Sequence, residues 1–148
     1  MKEGFTQVYC LRMPIRWGDM DAMGHVNNTI YFRYLEQTRI SWFEAMGCPP
    51  EPAAQGPVII NAHCTFLKQL RYPGEIEVTL GVGIFGRSSF ETWQQIRRVD
   101  DLATLAAEGG AKVVWVDQRL EKSLALDLMC SRMNQLCTQD CWNSITLY

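Results

Sequence analysis

Residues 29–46 contain neither Gly nor Pro, and the run stops at Gly47-Cys48-Pro49-Pro50. Good helix formers followed by that stop predict one helix of about five turns, roughly 27 Å long. On its wheel Arg33, Gln37, Ser41 and Glu44 make one narrow polar stripe, while Tyr31, Phe32, Tyr34, Leu35, Ile40, Trp42, Phe43 and Ala45 fill most of the remaining circumference. A helix this apolar is expected to be buried on several sides, so the rest of the chain must wrap it. Glu36 and Arg39 fall outside the stripe. An i,i+3 ion pair between them is the expectation, with Glu36 facing a substrate cavity as the alternative.

The remaining sequence supplies a sheet. Across residues 8–17, Tyr9, Leu11, Met13, Ile15 and Trp17 alternate with Cys10, Arg12, Pro14 and Arg16. That period of two marks a half-buried strand, and Pro14 predicts an edge or irregular strand. Residues 58–67, 75–85, 89–99 and 111–118 read as four more strands, with a hairpin turn at Gly86-Arg87-Ser88. Residues 100–110 read as a longer connection containing a helical turn, and residues 120–136 as a short helix within the tail, residues 119–148. His63, on a face shared with Asn61 and Thr65, reads as a sheet or interface histidine. One strand, one helix and four strands without repeats or linkers predict a single α+β domain over residues 1–148 with its core at about 8–118. A mainly antiparallel five-stranded sheet would curve around the central helix. Such a sheet leaves strand edges, so association with a second copy, as homodimer or homotetramer, is expected.

Composition narrows the function classes. A chain of 148 residues fits one domain, which would bury roughly 70% of its unfolded surface. Apolar residues make up 47% and charged residues 20%, so there is little charge to cover a surface, which again suits an oligomer. Lys and Arg total 14 against 16 Asp and Glu, a net charge of -2 without a basic block. Nucleic acid is therefore not an expected partner. The start, Met-Lys-Glu-Gly-Phe-Thr-Gln, has no apolar h-region and no apolar run is long enough to span a bilayer. The expectation is a soluble, cytoplasmic protein without membrane insertion. Cys10, Cys48, Cys64, Cys130, Cys137 and Cys141 form no C-x-x-C pair and read as reduced thiols. Cys10 and Cys64 sit in strand patterns, where a small buried hydrophobe is the commoner role than a nucleophile.

Between the first strand and the helix lies Asp19-Met20-Asp21-Ala22-Met23-Gly24-His25-Val26-Asn27-Asn28. Carboxylates, an imidazole and two carboxamides beside a helix start could form a general base or nucleophile next to oxyanion donors, which points to acyl chemistry. Local structure accounts for part of the segment, with Asn28 as a helix N-cap and Gly24 in a tight turn. One cap needs one polar side chain, so the His between the Asp and Asn pairs is left over for chemistry. An Asp-x-Asp-x3-His spacing suggests a divalent cation, but no further ligand with convincing spacing occurs elsewhere, so no metal is expected. Nothing in the sequence requires an organic cofactor.

Residues 16–32, Arg-Trp-Gly-Asp-Met-Asp-Ala-Met-Gly-His-Val-Asn-Asn-Thr-Ile-Tyr-Phe, resemble the signature of hotdog-fold acyl thioesterases of the 4-hydroxybenzoyl-CoA thioesterase-like superfamily. The likeness extends over about residues 9–117. It implies the hotdog fold and an enzyme of lipid metabolism that hydrolyses an acyl-CoA or acyl-carrier-protein thioester to free acid and thiol. In the 4-hydroxybenzoyl-CoA type the second Asp of Gly-Asp-x-Asp acts on the thioester carbonyl, which places that role, as general base or nucleophile, on Asp21. The oxyanion contact would come from a helix-start N–H at about Gly24 to Asn28. His25 is similar to the His of the His-Val-Asn-Asn in acyl-carrier-protein thioesterases, whose Asp-x-Asn-x-His has Met23 here in place of its Asn. His25 would orient Asp21 or water, or donate to the carbonyl, with Asn27 or Asn28 holding the groups in register. Of the consecutive basic residues that similar CoA thioesterases carry before Ser-Phe, only Arg87 is present, in Gly86-Arg87-Ser88-Ser89-Phe90. The implied substrate-binding set is thus Gly24, Val26, Tyr31, Glu36, Arg87 and Ser88, with the acyl tail between helix and sheet at a seam between two copies. A hydroxyacyl-thioester dehydratase and a non-catalytic acyl-binding subunit share this architecture and stand as alternatives.

Overall fold

The structure is a computed structural model and describes residues 1–49 and 55–126. Strand β1 (Thr6–Ile15) leads through a 3-10 turn (Trp17–Asp19) to helix α1 (Asn28–Ala45). Strands β2 (Gln55–Phe66), β3 (Gly74–Val82), β4 (Ser89–Arg98), β5 (Asp101–Asp117) and β6 (Lys122–Ser123) follow. They form one antiparallel sheet ordered β1-β3-β4-β5-β2, with β6 pairing the end of β5. One long helix held in an antiparallel sheet is the hotdog fold, as the resemblance implied.

The core forms because α1 carries large apolar side chains at helical spacing and the strands answer with period two. Near the start of α1, Tyr31 and Leu35 pack with Ile15, Val26, Leu70 and Ile76. Near its end, Trp42 and Phe43 pack with Leu80, Phe90, Val113 and Trp115. Burial of such side chains stabilises by about 1.5–3 kcal/mol each. In the single chain, however, α1 buries one face rather than several: Tyr31, Tyr34, Leu35, Thr38, Arg39, Trp42 and Phe43 turn inward, while Phe32 and Ala45 are exposed.

The expected Glu36–Arg39 pair does not form. Glu36 lies on the outward side of α1 and pairs there with Arg33 at 2.5 Å. Arg39 lies on the flank of the buried face, is 8% exposed, and donates from Nη1 to Gln94 Oε1 of β4 at 2.9 Å. Gln94 in turn donates to the Leu35 carbonyl at 2.9 Å. A neutral amide tethered to both elements thus satisfies a guanidinium whose ordinary pKa is lowered by burial, while the carboxylate keeps its water.

Three other expectations are corrected. Residues 101–110, expected as a connection with a helical turn, are the first half of β5. Their Ala and Gly residues have weak strand propensity, but pairing with β4 on one side and β2 on the other decides the conformation. At Gly109 a Cβ would stand 2.3 Å from the His63 carbonyl oxygen, so β5 and β2 approach more closely than a side chain permits. Residues 118–126 form a turn and β6, not the start of a helix at Leu120. The remainder of that expected helix lies outside the described residues. Trp17, expected as the last residue of the first strand, sits instead in the 3-10 turn and is 79% exposed.

Pro14 falls on β1, which is one edge of the sheet, as its missing N–H required. The other edge is β2, whose side chains are mostly exposed, including Val58, Ile59 and Ile60.

Candidate active site

The polar segment after β1 folds into a hydrogen-bonded loop. Asp19 is 9% exposed; its Oδ2 accepts from the Arg16 N–H at 2.7 Å and from the Tyr34 hydroxyl at 2.7 Å. Burial, and then the hydrogen bond to Asp19, push the Tyr34 hydroxyl well above its ordinary pKa, so it stays a donor. The Asp19 carbonyl also accepts from the Asn27 N–H at 2.9 Å. Asp19 is therefore the structural pin between the 3-10 turn and α1.

Asp21 is bound differently. Its Oδ1 accepts from the Met23 N–H at 2.8 Å and the His25 N–H at 3.3 Å. Its own N–H donates to the His25 carbonyl at 2.8 Å, and its carbonyl accepts from Gly24 at 3.1 Å. Gly24 has φ +75°, a conformation that glycine adopts without strain, as the tight turn required. Oδ2 of Asp21 has no hydrogen-bond or ion-pair partner among the described residues.

The helix N-cap is Asn27, one residue before the expected Asn28. Its Oδ1 accepts from the Thr29 N–H at 2.9 Å and the Thr29 hydroxyl at 2.8 Å. Asn28 is the first residue of α1. The N–H groups of Gly24, His25, Val26 and Asn27 all donate within the fold. Asn28 N–H has no partner among the described residues.

Val26 and Tyr31 are buried in the core. Val26 donates to the Leu70 carbonyl at 2.9 Å, and the Tyr31 hydroxyl accepts from the Leu70 N–H at 3.1 Å. These bonds bring the chain before β3 across the loop, and with it Arg71, whose Nη2 lies 2.8 Å from His25 Nε2. Sequence reasoning missed Arg71, which is 46 residues from His25 and has no local signature. Trp17 and Met23 flank the loop at 79% and 78% exposure, and Tyr72 is also exposed.

Gly24, Asp21, His25, Asn27 and Asn28 are thus brought together, whereas Glu36 lies on the outer face of α1. Arg87 and Ser88 are in the β3–β4 connection, where their carbonyls accept from Leu126 and Trp115. The loop packs at the Gly74 end of β3 and the connection follows Val82. The strand that joins those ends is nine residues long, roughly 27 Å. A cavity of about 370 Å³ adjoins that distant connection, lined by Phe5, Ile84, Gly86, Glu91 and Lys112, and does not touch the Asp21 loop.

Cys10 and Cys64 are partly buried, and burial pushes each thiol up to about 11, which keeps them protonated and poorly nucleophilic near neutrality. His63 is exposed on β2 with its ring 5.5 Å from that of Trp93, a sheet histidine as expected. Among the described residues no group of three or more His, Cys, Asp and Glu side chains is placed to hold a metal ion. No described helix is long and apolar enough to cross a membrane.

Comparison with known proteins gives consistent results. A sequence profile of the thioesterase-like superfamily matches residues 15–129. A solved structure from Pseudomonas aeruginosa, named as a candidate thioesterase, superposes with a TM-score of 0.82 and 38% identity, covering 85% of this chain and 98% of that one. A candidate acyl-CoA thioesterase from Xanthomonas campestris gives a TM-score of 0.70 and 32% identity over 76% of this chain and 95% of its own. The 1,4-dihydroxy-2-naphthoyl-CoA thioesterase of Synechocystis shares the fold, with a TM-score of 0.77 at 15% identity over 89% of this chain and 97% of its own.

Proposed function

The chain belongs to the thioesterase-like superfamily, and on that premise we propose that it hydrolyses an acyl-CoA or acyl-carrier-protein thioester, with Asp21 as the reacting carboxylate. The observation that carries this reading is the asymmetry of the Asp21 carboxylate. Two loop N–H groups clamp Oδ1, while Oδ2 has no partner among the described residues. A clamped carboxylate is fixed in direction, which is what a base or nucleophile at a carbonyl requires.

With Asp21 as base, Oδ2 takes a proton from water, the water oxygen adds to the thioester carbon, and the C–S bond breaks as the proton passes to the departing thiolate. With Asp21 as nucleophile, Oδ2 bonds to that carbon and expels the thiolate, leaving a mixed anhydride that water cleaves. In both routes negative charge develops on the carbonyl oxygen. The Asn28 N–H at the start of α1 is the donor that suits it, because it stands at the positive end of the helix and the N–H groups of Gly24, His25, Val26 and Asn27 are committed. Asn27 holds that donor in place by capping the helix.

The acyl group would lie between α1 and the sheet beside β2, closed by a second copy that pairs at this edge. Arg87 is too far along its own sheet to reach the same thioester, so its contact with a CoA phosphate would come from the second copy. The test is thiol release from acyl-CoA and acyl-carrier-protein thioesters, run beside a dehydration assay on a hydroxyacyl thioester. Thiol release without dehydration is the expected result; dehydration without free thiol would overturn it.

A further inference from the structure

We propose that Arg71 is the positioning residue for His25, holding its ring as the neutral Nδ1–H form, so that His25 acts as a hydrogen-bond donor and leaves proton abstraction to Asp21. The role assigned to His25 rests on the thioesterase reading; the contact itself rests on geometry alone.

A guanidinium has donors and no acceptor, and it remains charged at all ordinary pH values. Its Nη2 lies 2.8 Å from His25 Nε2. At that distance Nε2 must offer a lone pair, since a protonated Nε2 would set N–H against N–H. An imidazolium would add repulsion between like charges. The neutral ring therefore carries its proton on Nδ1, the tautomer being set by what the other nitrogen binds. Nε2 can take a proton only if the contact with Arg71 breaks, so His25 is poorly placed to be the base.

The contact is supported on both sides. Next to His25, the Val26 N–H donates to the Leu70 carbonyl at 2.9 Å, and the Leu70 N–H donates to the buried Tyr31 hydroxyl at 3.1 Å. Beyond Arg71, the Tyr72 N–H donates to Met20 Sδ at 3.3 Å. Arg98 Nη1 donates to the Arg71 carbonyl at 2.9 Å, and Arg98 Nη2 to the Pro73 carbonyl at 3.4 Å. Arg98 is itself held by both Asp100 oxygens at 2.8 Å. Residues 70–73 thus form a strap across residues 20–26, tied down by bonds immediately before and after Arg71. An exposed polar contact contributes little to stability alone, so its use here is orientation.

Long-range nitrogen–proton NMR on uniformly labelled protein distinguishes the two tautomers, and with two histidines in the chain a His25→Ala sample identifies the signal. The wild type should show His25 as Nδ1–H, and Arg71→Ala should move it toward Nε2–H with the fold unchanged by circular dichroism. In Arg71→Ala, kcat should fall about 100-fold, the lower end of what loss of one positioned hydrogen-bond donor costs, with KM changed less than about twofold. Arg71→Lys should restore part of kcat, and His25→Ala with Arg71→Ala should be no slower than His25→Ala alone. A wild-type Nε2–H tautomer would overturn the proposal, as would an Arg71→Ala variant that raises KM at unchanged kcat. If no thioester is hydrolysed at all, the thioesterase reading falls with the kinetic arms, while the tautomer still decides whether Arg71 holds His25.

Discussion

Asp19 and Asp21 are two positions apart and are bound differently because Asp19 is buried and Asp21 is only partly so. Asp19 satisfies a buried tyrosine hydroxyl and a backbone N–H at once. Asp19→Ala should therefore strand both donors and lower stability by about 2–3 kcal/mol, read by urea denaturation; an unchanged midpoint would contradict the structural role. The cap was misplaced by one residue because Asn27 and Asn28 have the same chemistry, and only the backbone shows which side chain folds back on Thr29. Arg71 was not readable at all, because its partner is brought to it by long-range bonds through Leu70.

At the scale of elements, α1 was legible from its missing Gly and Pro, its spacing and its stop. The start of β5 was not, because a segment rich in Ala and Gly has weak strand propensity and takes its conformation from β4 and β2. Arg39 was assigned the wrong partner for a related reason: spacing along a helix brings Glu36 near, but Gln94 on β4 reaches Arg39 from across the core. The close approach at Gly109 gives this element its most sensitive position. Gly109→Val would drive a side chain into the His63 carbonyl and should cost about 3 kcal/mol or more. A melting temperature within about 2 °C of the wild type would show that β2 can move away at little cost.

In the whole molecule, the Asp21 loop lies at the Gly74 end of β3 and the Arg87 connection beyond Val82, so the proposed reacting carboxylate and the proposed phosphate contact stand at opposite ends of one sheet. One chain cannot close around both, and β2 presents an open edge bearing Val58, Ile59 and Ile60. The expected particle is at least a homodimer whose activity per chain falls on dilution in step with dissociation, as followed by light scattering on the assayed samples. A fully active monomer would leave the shared site without support. An antiparallel sheet around one helix was legible from element order and the hotdog fold from the resemblance of residues 16–32, whereas the distance between the Asp21 loop and the Arg87 connection needed the register of β1 on β3. The most direct test of the account as a whole compares thiol release by the wild type and Asp21→Asn, which keeps size and hydrogen bonding but removes the reacting carboxylate. A folded Asp21→Asn protein should lose at least about 100-fold in turnover, and one with near-normal turnover would contradict the central claim.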